Sequence, residues 1–154
     1  MKVIFLDVDG VLNRLDGMYY RKDVGYNLSR NIYPPYPLDK EKIEMVMKLA
    51  KETKAKIVLS SSWRREDKGM AKLVEFGLRI FDTTDKNSYA KREETIKNYL
   101  IDNNVNNYVI LDDNSDYFFI SDEIAKHALT IDAYNGLTDS DIEKARDILN
   151  GKNI

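Results

Sequence analysis

The stretch Val3-Ile4-Phe5-Leu6-Asp7-Val8-Asp9-Gly10-Val11-Leu12-Asn13 decides the fold of this chain. Its four leading apolar residues read as a strand buried on both faces, the pattern of a parallel sheet covered by helices. A buried strand that runs straight into two carboxylates must open into a polar site at its end. Side chains alternate along an extended chain, so Asp7 and Asp9 point different ways unless the backbone turns between them, and Gly10 supplies the freedom for such a turn. That arrangement suits two carboxylates with different tasks. Asp7 is placed to attack an electrophile, and Asp9, just past the strand end, to hand a proton to a leaving group and later take one from water. The same letters also fit a plain Asp-Gly turn after a first strand, so the rest of the chain has to decide between the two.

At 154 residues with 43% hydrophobic content, the chain is long enough for one domain with a real core, and a single domain over 1–154 is expected. A net charge of -2 advertises neither nucleic acid nor membrane. The absence of cysteine excludes disulfide scaffolds, thiol catalysis and zinc-thiolate sites, and makes a reducing cytoplasm the expected compartment. The opening MKVIFLDVDG is far short of a signal-peptide core or a membrane span. With His127 as the one histidine, Ser/His and Cys/His catalysis have little material. The chemistry must rest on carboxylates, hydroxyls and Lys/Arg. His127 itself precedes a predicted strand and is given no role, and nothing in the sequence specifies an oligomeric state.

After the first strand, residues 14–37 lose apolar periodicity and carry Tyr19, Tyr20, Tyr26, Tyr33 and Tyr36 before closing on Pro34, Pro35 and Pro37. A proline-rich end of this kind is neither helix nor central strand, so a loop or small hairpin inserted after strand one is expected. Arg14, Arg21, Lys22 and Arg30 against Asp16 and Asp23 leave it positive in a chain that is negative overall. Asp39 then caps a helix whose apolar face is Ile43, Val46, Met47, Leu49 and Ala50, ending near Thr53.

Ala55 to Leu59 is a second apolar strand, and it ends in Ser60-Ser61-Ser62-Trp63-Arg64-Arg65. Hydroxyls and free backbone N–H groups at such a strand end make an anion cradle, although a serine cluster is also an ordinary helix cap. A helix over about 66–76 and a third strand at Leu78-Arg79-Ile80-Phe81 follow. The next predicted helix runs from Lys91 to about Asn103. Cations at a helix start are unfavourable, which points to service toward something anionic. Tyr108 to Leu111 is a fourth buried strand, running into Asp112, Asp113 and, three on, Asp116. Two distant strands that both end in acidic pairs suggest one site at the carboxyl edge of a parallel sheet. Like charges so placed need a cation, and oxygen-only ligands favour Mg²⁺. A short helix at 121–127, a fifth strand at 128–131 and a last helix opened by a Thr138/Asp141 capping box complete the pattern.

In this order the motifs resemble the haloacid dehalogenase-like (HAD) superfamily over nearly the whole chain. DVDGV at 7–11 resembles its first motif, which implies that Asp7 is the nucleophile and Asp9 the acid/base. The second motif, a Ser or Thr closing strand two, falls on Ser60, with Ser61 as the alternative register. The third, a Lys or Arg that holds nucleophile and phosphate, falls on Lys91 or Arg92. The fourth, an acidic pair after a late strand, falls on Asp112 and Asp113. More narrowly, FLDVDGVLN, VLSSSWR, the YVILDD run and the closing GLT resemble a small subgroup of HAD domains found alone or fused in RNA-repair proteins.

The resemblance and the β/α alternation imply a three-layer α/β/α sandwich with a parallel Rossmannoid sheet and a minimal cap, residues 14–37 lying over the site. With Asp at position 9, the implied activity is a Mg²⁺-dependent phosphatase working through an aspartyl-phosphate. Mg²⁺ is expected on the Asp7 carboxylate, the Asp9 backbone carbonyl and Asp112 or Asp113. Ser60 with Lys91 or Arg92 would take the phosphoryl oxygens, and Gly10, Ser61 and Arg64 are further substrate-binding candidates. Trp63 is expected to pack and fix the serine turn. The expected partner is a phosphorylated small molecule or nucleotide, with a nucleic-acid end as an alternative and no membrane. A non-catalytic phosphate-binding module is the remaining alternative.

Overall fold

The computed structural model describes residues 1–15, 37–114 and 121–152. Along the chain come β1 (Lys2–Leu6), α1 (Lys40–Thr53), β2 (Lys56–Leu59), α2 (Asp67–Glu75), β3 (Asp82–Thr83), α3 (Arg92–Asp102), β4 (Asn107–Asp112), α4 (Asp122–Ala125), β5 (Ala128–Thr130) and α5 (Asp139–Leu149), with one 3-10 turn at Ser62–Arg65 before α2. The five strands form one sheet in the order β3-β2-β1-β4-β5, and every pairing is parallel.

The apolar runs explain which strands are central. β1 and β4 have neighbours on both sides, and residues Val3–Leu6 and Tyr108–Asp112 are buried. Their alternation divides the core into two layers. Ile4, Leu6, Leu59 and Leu111 pack with apolar residues of α1, α2 and α5, while Val3, Phe5, Val58 and Ile110 pack with Ile96 and Tyr99 of α3 and Ile124 of α4. Phe5 centres the second layer, with the rings of Tyr99 and Tyr108 edge-on to it at 5.6 and 5.9 Å. The result is the three-layer α/β/α sandwich that the β/α pattern implies.

Local chemistry sets the helix ends where the sequence predicts them. The Asp39 carboxylate accepts a hydrogen bond from the Glu41 N–H at 3.0 Å, and Thr138 and Asp141 form a reciprocal capping box at the start of α5. One strand differs from expectation. The third strand is Asp82–Thr83, paired Val58↔Asp82 and Leu59↔Thr83, and not Leu78 to Phe81. Leu78 closes the end of α2 instead, its N–H bonded to the Leu73 carbonyl. An edge strand pairs on one side only, so two polar residues suffice there; of the apolar residues just before it, Leu78 is buried in the core while Phe81 stays exposed.

Residues 16–36, with all five tyrosines of the predicted insert, and 115–120, with Asp116, lie outside the described residues. Among the described residues no helix is long and apolar enough to cross a membrane.

Candidate active site

The strand order reverses direction between β1 and β4, and ligands of open parallel sheets bind at such a switch point, outside the carboxyl ends of the strands. Backbone hydrogen bonds carry the ladder one residue past the strand ends. Asp7 N donates to Leu111 O, Ser60 N to Leu6 O and Thr84 N to Leu59 O, each at 3.0 Å, and Ile131 N donates to Asp112 O at 2.8 Å. Asp7, Ser60, Thr84 and Asp112 are thereby held in a row along one edge.

Carboxylate oxygens of Asp7, Asp112 and Asp113 all lie within 4.8 Å of one another. Arg92, the first residue of α3, reaches into this group. Its Nη1 is 3.2 Å from Asp7 Oδ1 and 2.5 Å from Asp112 Oδ2, so the cation at the helix start serves anions, as its unfavourable position predicts. Lys91, one residue earlier, is exposed at the N-cap. Asp7 is only 4% exposed. Burial pushes its carboxyl well above the ordinary range, the Asp112 charge adds to this, and Arg92 opposes it. Asp113 is also raised, again chiefly by burial. One guanidinium therefore does not neutralise three carboxylates, and the cluster has the oxygen-only donor set of a hard divalent cation.

Gly10 is required here on two counts. Its φ is +83°, and a Cβ at that position would stand 2.6 Å from Asp113 Oδ2, so the turn after β1 and the position of Asp113 both depend on a missing side chain. The turn also folds Asn13 back under the loop. Asn13 accepts from Gly10 N at 2.8 Å and donates from Nδ2 to Asp9 Oδ1 at 3.0 Å. The other Asp9 oxygen, Oδ2, accepts from Trp63 Nε1 at 3.0 Å. Asp9 is thus held at both oxygens. Trp63 is buried in the first core layer, as expected, but its indole N–H is also a contact of the site. Asn13 has no precedent in the sequence reading, and the available signal was a polar residue closing the apolar pair Val11-Leu12.

The serines divide their work. Ser61 caps the 3-10 turn, its Oγ accepting from Trp63 N at 3.2 Å. Ser60 Oγ is fully buried at the edge and has no hydrogen-bond partner among the described residues. Thr84 Oγ1 is in the same condition, one step past the last β2–β3 pair and so beside Ser60. Buried hydroxyls rarely go unpaired, and two at one edge mark a place for a ligand oxygen. The sequence carries no signal for Thr84.

Arg64, a substrate-binding candidate, is engaged by the backbone. Its side chain is 4% exposed, and it donates to the backbone carbonyls of Asp85 (3.1 Å), Ser60 (3.3 Å), Ser61 (2.9 Å) and Ser88 (3.4 Å). Burial, helped by Arg65 and Arg92, lowers its guanidinium to about 10, which leaves it charged at neutral pH. These bonds tie the serine turn to the loop before α3. Arg64→Ala is therefore expected to lower stability by about 2–4 kcal/mol, because charged hydrogen bonds are lost and buried carbonyls are left unpaired. Urea unfolding measures this, and a variant with the wild-type midpoint would return Arg64 to a substrate-facing role.

The same loop carries Tyr89, whose ring is 86% exposed and stacks on the Arg65 guanidinium at 4.6 Å. Arg65 Nη2 donates to Ser88 O at 2.8 Å. Tyr89 thus stands exposed on the loop three residues before Arg92.

A parallel α/β sandwich with acidic loops after β1 and β4, a hydroxyl after β2 and a cation on a following helix defines a HAD-type domain. A family profile described as "HAD domain in Swiss Army Knife RNA repair proteins" matches residues 3–142, and the chain belongs to that family. A chain in a solved structure described as "Structure of the Pnkp1/Rnl/Hen1 RNA repair complex" is similar over 90% of this chain, with TM-score 0.51 and 22% identity. The match covers 43% of that chain, so the present chain spans less than half its length, and the likeness concerns the fold. No curated protein sequence matches.

Proposed function

We propose that this chain is a Mg²⁺-dependent phosphomonoester hydrolase in which Asp7 is the nucleophile. The observation that carries the reading is the pairing of Asp7, on Arg92 and beside Asp112 and Asp113, with a buried, unpartnered Ser60 hydroxyl at the adjacent strand end. A cation fits this donor set: Asp7, Asp113 and Asp112 would hold Mg²⁺ through carboxylates, and Asp9 through its backbone carbonyl. When bound, the ion supplies the countercharge that lets a phosphate dianion approach an ionised Asp7.

An Asp7 oxygen attacks phosphorus in line, forming an acyl-phosphate bond as the ester P–O bond breaks. Asp9 gives its proton to the departing oxygen. Asp9 then takes a proton from water as that water attacks the same phosphorus, releasing inorganic phosphate and regenerating Asp7. Arg92, Ser60 and Thr84 bind the transferring oxygens, in geometry that stabilises charge on them. Arg92 takes the role for which the sequence offers two neighbouring cations.

The exposed Tyr89 ring on the loop before Arg92 supports a nucleotide substrate, and the family's description supports a polynucleotide end as the second reading. We propose that residues 14–37 form a small insert over the site within a single domain.

A panel of phosphorylated sugars, nucleotides and end-phosphorylated oligonucleotides, assayed with Mg²⁺ and with EDTA, tests the reading. Turnover is expected only with the metal, and full activity in EDTA would remove the metal claim. Mg²⁺ should also raise the melting temperature, since a ligand at a hundred times its Kd stabilises by about 2.7 kcal/mol. In Asp112→Asn the increase should need more metal. An unchanged melting curve in the wild type at millimolar Mg²⁺ would show that the three carboxylates do not hold the ion.

A further inference from the structure

The last turn of α1, the start of β2 and the segment before β3 enclose a groove of about 950 Å³ at the amino edge of the sheet, opposite the acidic site. Lys48, Lys51, Lys54, Lys56 and Arg79 line it, and no carboxylate does. Lys48 also pairs with Glu52 at 3.9 Å, so four of these cations face the groove uncompensated by its walls. This concentration stands in a chain of net charge -2. The walls are fixed: Arg79 N donates to the Met47 sulfur at 3.4 Å and Phe81 N to the Ile57 carbonyl at 2.9 Å. Phe81 keeps a 54% exposed ring at one end, with the Lys56 ammonium 5.5 Å from its centroid.

We propose that this groove binds the phosphate backbone of a single-stranded nucleic acid, with Phe81 offering its ring to a base. A row of cations around an exposed aromatic is the combination that grips single strands, charge following the backbone and the ring taking a base. An acidic polypeptide would use the charge and leave the ring without a flat partner. β2 separates the two edges by only about 13 Å at the rise of a parallel strand. The proposal concerns binding and does not depend on the phosphatase reading.

The test is fluorescence anisotropy of a labelled 12-mer oligoribonucleotide with the whole chain at several salt concentrations. The variant Lys51→Gln/Lys56→Gln/Arg79→Gln changes three exposed side chains and is expected to bind at least about tenfold more weakly. Its slope of log K against log salt should fall by about two, since single strands contribute roughly 0.7 per neutralised phosphate. A control, Lys126→Gln/Lys144→Gln/Lys152→Gln, makes the same change in net charge on exposed positions elsewhere and should keep wild-type affinity. Phe81→Ala should weaken binding at an unchanged salt slope. Wild-type affinity in the groove variant, an equal loss in the control, or displacement of the RNA by polyglutamate as effectively as by unlabelled RNA would each overturn the proposal.

Discussion

Asp7→Asn is expected to abolish turnover while leaving the chain folded and, without metal, more stable than wild type. Loss of a covalent nucleophile elsewhere costs on the order of 10⁶ in rate, and an amide at this position cannot form the acyl-phosphate bond. The stability direction follows from the same carboxyl. Its raised position means that the ionised form is disfavoured in the folded chain, chiefly by burial and then by Asp112. The raised carboxyl therefore makes the metal-free fold less stable at neutral pH, a cost that is absent below the ordinary carboxylate range and builds as pH rises from there to the folded-state value. The amide removes the cost at every pH, at the expense of the contact with Arg92. Melting in EDTA at pH 7 should give a higher midpoint for the variant, and adding Mg²⁺ should narrow or reverse the gap. Measurable turnover by Asp7→Asn would dismiss the nucleophile assignment. A lower midpoint in EDTA would show that the Arg92 contact outweighs burial.

The parts of this architecture that were legible in the sequence are those where one physical demand dominates. Val3 to Leu6 and Tyr108 to Leu111 are apolar throughout because helices cover both faces, and each ends in aspartates because a charge is tolerable only where the sheet opens. Asp39 and Thr138 announce helix starts because the orphan N–H groups there need an oxygen. β3 was not legible, since a two-residue edge strand needs neither apolar character nor alternation. The arginines were legible only in part. Arg92 was one of two neighbouring cations offered for Asp7, and only tertiary packing selects it over Lys91 and sends Arg64 to four backbone carbonyls. Asn13 and Thr84 belong to the same class: each matters through a neighbour brought close by the Gly10 turn or by strand pairing, which local pattern does not report. Trp63 was readable as core, and its indole N–H bond to Asp9, 54 residues away, was not.

That bond leads to the second large effect. Asp9→Asn should lower turnover of an alkyl phosphate by about 10²–10⁴-fold, the usual contribution of general acid/base catalysis. With an activated aryl phosphate the loss should be much smaller in the first step, because a phenolate of low basicity leaves without a proton. The carboxylate can act only if it faces the leaving oxygen, and its direction is set by two donors, Asn13 Nδ2 at Oδ1 and Trp63 Nε1 at Oδ2. Trp63→Phe keeps most of the ring in the core and removes one donor, so it should repeat the Asp9→Asn pattern at reduced scale. A hydrogen bond to a charged group contributes about 1.5–3 kcal/mol, or roughly 10- to 150-fold in kcat on the alkyl phosphate. KM for both substrates should stay near wild type, as neither donor touches the phosphate. Ranking kcat for both variants against leaving-group pKa separates this from general damage. If Trp63→Phe lowers both substrates equally, along with the melting temperature, the indole acts through packing alone and Asp9 is aimed by Asn13.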